Sequence, residues 1–244
     1  MDFAGKDKAT YVRDMFNTIA RRYDLMNTLM SLGMDKHWRK VAVYYAKAKP
    51  GANMLDVCCG TGQLSLELAK TVGPKGKVTG VDFSEKMLAE AKILVQHNSP
   101  AQNITLLQGD AMALPFADNS FDGATVGWGL RNLPDLNRGI QEMTRVVKPG
   151  SWVVSLDMAK PSLPVFKQIY WLYFERLVPA MGKLWAGKKS AYRYLHDSAR
   201  TFPSQDLLAR IFSECGLTET GYRNLAGGVV AVVYGRKPPA KEGK

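Results

Sequence analysis

Three carboxylates stand at the ends of short apolar runs: Asp56 in NMLDVC, Asp82 in GKVTGVDF and Asp110 in NITLLQGD. The first runs straight into Cys58-Cys59-Gly60-Thr61-Gly62. Glycines let a backbone approach a ligand where a Cβ would collide. A glycine loop between strand and helix is a usual seat for a nucleotide-like ligand in an open α/β sheet. A dinucleotide fingerprint needs G-x-G-x-x-G, but the run Gly60-Thr61-Gly62-Gln63-Leu64-Ser65 lacks the third glycine. An S-adenosylmethionine loop needs no pyrophosphate grip and carries an acid at the strand end, and this reading fits better. Asp56 then accepts from the methionine ammonium, directly or through water. Asp82 takes the ribose hydroxyls, Asp110 accepts from the adenine amino group beside the Ala111 backbone, and Phe83 and Met87 cover the purine.

The adjacent cysteines also raise metal and redox readings. The chain has 3 cysteines, Cys58, Cys59 and Cys215, with no CxxC, and its 3 histidines, His37, His97 and His196, are scattered. No metal is expected, and Cys58 reads as a small packed thiol. The absence of a disulfide framework points to a reducing, cytoplasmic setting.

These groups need a sheet to hold them. Helical and strand patterns alternate from Asn53 to Met158, and the strands are short and apolar, which predicts a parallel sheet covered on both faces. Helices are expected over GQLSLELAKTV, over EKMLAEAKILVQH with Ser84 as cap, over LNRGIQEMTRVVK and over SQDLLARIFSECG. LTETGYRNL and GVVAVVYGRK read as two strands joined at Ala226-Gly227-Gly228. Ahead of the sheet, Tyr11, Met15, Ile19 and Tyr23 recur at helical spacing. The chain divides into an N-terminal helical segment over the cleft (1–49), a domain at 50–237 carrying an aromatic, basic helical insertion at about 160–200, and a disordered tail at 238–244.

Two stretches carry a resemblance. RRYDLMNTLMSLGMDKHWRK (21–40) holds Tyr23-Asp24-x-Met26-Asn27 and ends in His37-Trp38; GWGLRNLPD occupies 127–135. With LDVCCGTG, these residues make the chain resemble the C-methyltransferases of menaquinone and ubiquinone biosynthesis over roughly residues 7–237. In RVVKPGSWVVSLDMAKP the match is looser: Ser151 replaces a glycine, Asp157 a glutamate and Ala159 a serine. The position of Cys58 is usually glycine in the broader methyltransferase pattern. The resemblance implies a class I, Rossmann-like methyltransferase fold, mostly parallel with an antiparallel terminal hairpin strand. It places cofactor contacts at Thr61, Asp82, Asp110, Ala111 and Gly127, beside the loop residues Asp56, Gly60, Gly62 and Phe83. It also implies methyl transfer from S-adenosylmethionine, without metal, to a ring carbon of a polyprenyl quinol. Demethylmenaquinol is the favoured acceptor and a methoxy-benzoquinol the alternative. Arg131 would stabilise charge on the quinol oxygen with Asn132 as partner. Tyr23, Asp24 and His37 would come from the segment over the cleft, Asp24 or His37 taking the proton through water.

The net charge is +11. Residues 1–49 hold 10 Lys/Arg against 5 Asp/Glu, and residues 160–200 hold 8 against 2, while 51–159 hold 9 against 11. Such flanks suit an anionic partner. RNA is one candidate, but amino-methylating nucleic-acid enzymes often carry an Asn/Asp-Pro-Pro-aromatic run where GWGLRNLPD stands, so no nucleic acid is expected. The reading adopted is peripheral contact with an anionic membrane surface through the insertion, with Lys183, Lys188, Lys189 and Arg193 over headgroups. A soluble small-molecule methyltransferase and a non-catalytic cofactor-binding protein are the other readings, and an oligomer is left open. MDFAGKDKAT has no apolar core of a signal peptide. The most apolar run, LPVFKQIYWLYFERLVPAM, is broken by Lys167, Glu175 and Arg176 and is not expected to span a membrane.

Overall fold

A computed structural model describes residues 7–98, 103–161 and 189–240, with backbone alone at 189–193. Two helices lead. α1 (Lys8–Met30) starts at Asp7, whose carboxylate accepts from the Thr10 N–H at 3.0 Å. α2 (Asp35–Tyr45) follows a four-residue turn. The alternating core then runs β1 (Asn53–Val57), α3 (Gln63–Val72), β2 (Lys77–Asp82), α4 (Glu85–Gln96), β3 (Ile104–Gln108), β4 (Phe121–Gly127), α5 (Leu136–Val146) and β5 (Val147–Met158). After the undescribed residues come α6 (Lys189–Thr201), α7 (Gln205–Glu214), β6 (Thr218–Leu225) and β7 (Val230–Arg236).

The seven strands lie in the order β3-β2-β1-β4-β5-β7-β6. β1 to β5 pair in parallel, and β7 runs antiparallel to both β5 and β6. This is the expected fold class: a mostly parallel sheet closed by an antiparallel hairpin. Ser84 caps α4 as its sequence position predicts, its Oγ accepting from the Met87 N–H. The helix over LNRGIQEMTRVVK stops two residues early. Val147 already pairs with Phe121, and the strand bulges at Pro149-Gly150 before Trp152 meets Gly123. Strand pairing overrides the helical pattern there.

Two apolar layers clamp the sheet. On one face Ile140 and Met143 of α5 and Leu208 and Phe212 of α7 meet Leu55, Val57, Ala124 and Val153. On the other, Trp38, Ala42 and Val43 of α2 and Leu64, Leu68 and Val72 of α3 meet Met54, Val78, Val154 and Val232. α2 thus belongs to the core, whereas α1 lies across the carboxyl ends of the strands. Three side chains tie it there. The Lys8 ammonium donates to the Arg131 and Leu133 carbonyls after β4. Asn17 accepts from the Ser84 hydroxyl after β2 at 2.7 Å. Asp24 accepts from the Thr61 hydroxyl at 2.6 Å and the Gln63 amide at 2.8 Å after β1.

The aromatics Phe166, Tyr170, Trp171, Tyr173, Phe174 and Trp185, the cations Lys183 and Lys188, and the tail 241–244 fall outside the described residues, as do the side chains of Lys189 and Arg193. Among the described residues no helix is long and apolar enough to cross a membrane.

Candidate active site

The loop after β1 is built around its backbone. Cys58 takes φ +54°, Gly60 φ +55° and Gly62 φ +82°. The left-handed region disfavours side chains, which accounts for glycine being usual at the position of Cys58. A Cβ on Gly60 would meet nothing within 4 Å and would project into open space. Trp128, just past β4 on the neighbouring strand, is also left-handed at φ +55°, and its N–H donates to the Leu156 carbonyl at 2.7 Å. Strained backbone therefore sits at the tips of two adjacent strands, where a ligand site is expected.

A cavity of about 170 Å³ opens at these tips. Gly60, Asp82, Phe83, Asp110, Ala111 and Gly127 all line it, so six of the nine expected cofactor residues converge, and Met87 is there too. Asp82 accepts from the Gly60 N–H at 2.8 Å through one oxygen and from the Ser84 N–H at 2.9 Å through the other. A carboxylate has about four acceptor positions, so two remain for ligand hydroxyls. Burial pushes Asp82 up to about 6, against the pull of those N–H groups. Asp110 accepts from the Met112 N–H at 2.8 Å, which fixes the Ala111 backbone beside it.

Asp56 and Thr61 lie on a small adjoining cavity of about 40 Å³, again with Gly60 and Gly127. Asp56 is fully buried and accepts from Ser65 Oγ at 2.6 Å and Thr125 Oγ1 at 2.9 Å. Burial lifts it to about 7 despite both hydroxyls. Its geometry is that of a bracket holding β1, β4 and α3 together, and any hold on an ammonium uses what capacity is left. Gly62 opens α3 and packs against Ala91 of α4, so it shapes the loop from behind. Both thiols of the cysteine pair are pushed well up by burial and by the surrounding carboxylates, Asp82 foremost, and stay protonated. Among the described residues no group of side chains has the composition of a metal site.

A second cavity, about 420 Å³, lies beyond the first. Met15, Ile19 and Met26 of α1 form one wall, Tyr194 and Leu195 of α6 another, and Arg131 and Asn132 the floor. Phe16, Tyr23 and Asn132 line both large cavities and form the partition. Arg131 is buried and paired with Asp157, which is also buried. Burial works against the guanidinium charge, but the Asp157 carboxylate, helped by the Tyr23 and Tyr194 oxygens, outweighs it and holds Arg131 above its ordinary value. Arg131 Nε and Asp157 Oδ2 have no hydrogen-bond partner among the described residues. Asn132 donates to the Trp128 carbonyl at 2.9 Å and accepts from the Tyr194 hydroxyl at 3.1 Å.

Of the expected catalytic residues, Arg131, Asn132 and Tyr23 come together at the larger cavity, and Asp24 borders the smallest one beside Tyr23. His37 does not join them. It is exposed on α2 and lines none of the three cavities. The buried face of α2 is set by Trp38, Arg39, Ala42 and Val43, and a one-residue step turns His37 about 100° away from it. Asp157 and Tyr194 enter the site without having been assigned to it. The first was visible only as a departure from a pattern, the second only as one aromatic in a crowd.

A model of the ubiE/COQ5 methyltransferase family matches residues 4–237. A protein of Desulfitobacterium hafniense (strain Y51) named demethylmenaquinone methyltransferase is 70% identical over 238 residues, 98% of this chain and 94% of that protein. One of the same name from Shouchella clausii (strain KSM-K16) is 44% identical over 96% of this chain and 99% of its own. Among solved structures, a SAM dependent methyltransferase from Aquifex aeolicus superposes with TM-score 0.63 at 20% identity, over 87% of this chain and 96% of that one. The [4+2]-cyclase SpnF gives 0.69 at 16%, over 95% and 97%. These two likenesses concern the fold alone.

Proposed function

This chain belongs to the ubiE/COQ5 methyltransferase family, and from that premise we propose that it methylates a ring carbon of demethylmenaquinol with S-adenosylmethionine as methyl donor. The observation that carries the reading is the pair of cavities sharing the wall of Phe16, Tyr23 and Asn132, one with strand-tip carboxylates and the other with a buried guanidinium. The open space beside Gly60 and the spare acceptor positions of Asp82 suit the donor.

When bound, S-adenosylmethionine supplies an already activated methyl group. The protein's contribution is then mainly alignment and electrostatics. Asp82 holds the ribose end, Phe83 and Met87 cover the purine, and Asp110 with Ala111 reads its edge. In the larger cavity the ring must be reduced, since a quinone is too electron-poor to attack. Loss of a hydroxyl proton to water leaves charge shared between the oxygen and the adjacent ring carbon, and after transfer that carbon gives up its hydrogen as a proton to water, which restores the aromatic quinol. Arg131, kept charged by Asp157, faces that oxygen, and Asn132 sits at the partition between ring and donor. Asp24 has its oxygens engaged by Thr61 and Gln63, so we give it the role of latching α1 over the donor rather than of base. A polyprenyl acceptor resides in the bilayer, which calls for peripheral contact with the membrane.

The test is transfer of labelled methyl to chemically reduced short-tail demethylnaphthoquinol and to demethylated methoxy-benzoquinol analogues. The expected outcome is label on the naphthoquinol and none on its oxidised form. Transfer to neither quinol overturns the assignment.

A further inference from the structure

The turn between α1 and α2 carries an unusual residue. Leu32 takes φ +52°, a conformation a leucine adopts at a cost, yet the residue is 80% exposed. It has company. Leu25 and Leu29 on the last turns of α1 and Met34 at the start of α2 are 49%, 37% and 42% exposed. All four lie on or beside the turn between α1 and α2 and make an exposed apolar tip.

The exposed charge of this stretch has one sign. Between residues 21 and 40 the exposed charged side chains are Arg21, Arg22, Lys36 and Lys40. The two acids of that stretch are turned elsewhere: Asp24 bonds the glycine loop, and Asp35 is buried against Arg39 at 2.6 Å. Arg21 meets Glu90 at 3.9 Å and is itself 93% exposed, so that pair is weak. The turn is also held in shape. Asp35 accepts from Ser31 Oγ at 3.0 Å and Thr28 Oγ1 at 3.4 Å, so the tip projects from a braced base.

We propose that this leucine tip is a membrane-docking element that inserts into an anionic bilayer surface, with the surrounding arginines and lysines over the headgroups. Arg21, Arg22, Leu25 and Leu29 share one face of α1 at helical spacing, and Arg21 and Arg22 also line the larger cavity with Met26 and Asn27. Docking therefore brings the mouth of that cavity to the headgroup level, where an acceptor can enter without leaving lipid. Apolar insertion and basic charge together are the two signals that stable surface binding needs. The purpose of the element rests on the quinol reading, but its existence is tested apart from it.

The experiment is flotation of the full chain with phosphatidylglycerol-containing vesicles and with neutral phosphatidylcholine vesicles. The comparison variant combines Leu25→Gln, Leu29→Gln and Leu32→Asn. Gln keeps helix propensity, and Asn tolerates the left-handed turn, so the fold is retained. A second variant combines Lys36→Glu and Lys40→Glu. The expected result is selective binding of the wild type to anionic vesicles, with about tenfold more lipid needed for half-binding by either variant. Methylation of a short-tail quinol in lipid-free buffer should stay at the wild-type rate. Wild-type flotation by the leucine variant overturns the proposal, as does absence of anionic binding by the wild type. A change of oligomeric state in the leucine variant with flotation intact also overturns it and assigns the tip to contacts between copies of the chain. Loss of methylation of the short-tail quinol by the wild type would instead count against the quinol reading.

Discussion

Asp56 and Asp82 end neighbouring strands, yet burial has made them different tools. Both are raised, Asp56 to about 7 and Asp82 to about 6, from an ordinary 3.8. A carboxyl raised by folding keeps its proton in the native chain after the unfolded chain has released it. Its contribution to stability therefore falls as pH rises from about 4 to 7. Replacing Asp56 with Asn should stabilise the ligand-free protein at pH 8 by roughly 2–4 kcal/mol. That gain should vanish towards pH 4, as read by denaturant unfolding at the two pH values. Asp82 has spare acceptor positions for the donor. Asp82→Ala should weaken donor affinity by about 10- to 100-fold, the worth of hydrogen bonds to a charged group. Wild-type affinity should fall as pH drops through 6, and titration calorimetry across pH reads both. Arg131 needs a different design, because removing it alone strands Asp157 as a buried unpaired charge. The double change Arg131→Gln with Asp157→Asn removes both charges. It should lower turnover by about 10²–10³ while donor affinity stays within about twofold. Normal turnover would exclude the electrostatic role.

At the scale of elements, α1 sets most of the site's geometry. Its 23 residues reach about 35 Å. That is long enough to touch the loops after β4, β2 and β1 in turn through Lys8, Asn17 and Asp24. Asp24→Ala removes the latch on Thr61 and Gln63. Its expected effect is faster proteolysis within α1 and weaker donor binding, with little change in global melting, because α1 adds few residues to the buried layers. The strands, the glycine loop and the capping serine were legible because each depends on local chemistry: a run of buried apolar residues, a backbone that requires glycine, a hydroxyl three residues before an N–H. Tyr194 and Asp157 were not, because their roles arise from partners 62 and 26 residues away, Asn132 and Arg131. The type of His37 suggests chemistry, but its position on α2, one residue off the buried face, decides its environment.

For the whole molecule, alternation of strand and helix suffices to foresee the parallel part of the sheet. The slot of β7 between β5 and β6 is a long-range pairing that no local pattern encodes. The charge map located basic flanks but could not say which residues face outward; of the first flank, Arg39 is buried against Asp35 and stacked 5.9 Å over Trp128. One arrangement bears on how the molecule behaves as a unit. The two large chambers lie under a single helical roof, and Phe16 and Tyr23 of that roof face both. Whatever fills one chamber must then reset the ceiling of the other. Cooperativity of this kind is reciprocal by thermodynamic necessity. The demethylated donor product and an unreactive quinol analogue should change each other's dissociation constants by one common factor, measurable by titrating each ligand with the other present and absent. Two independent constants would mean that the roof is rigid and the chambers are merely neighbours.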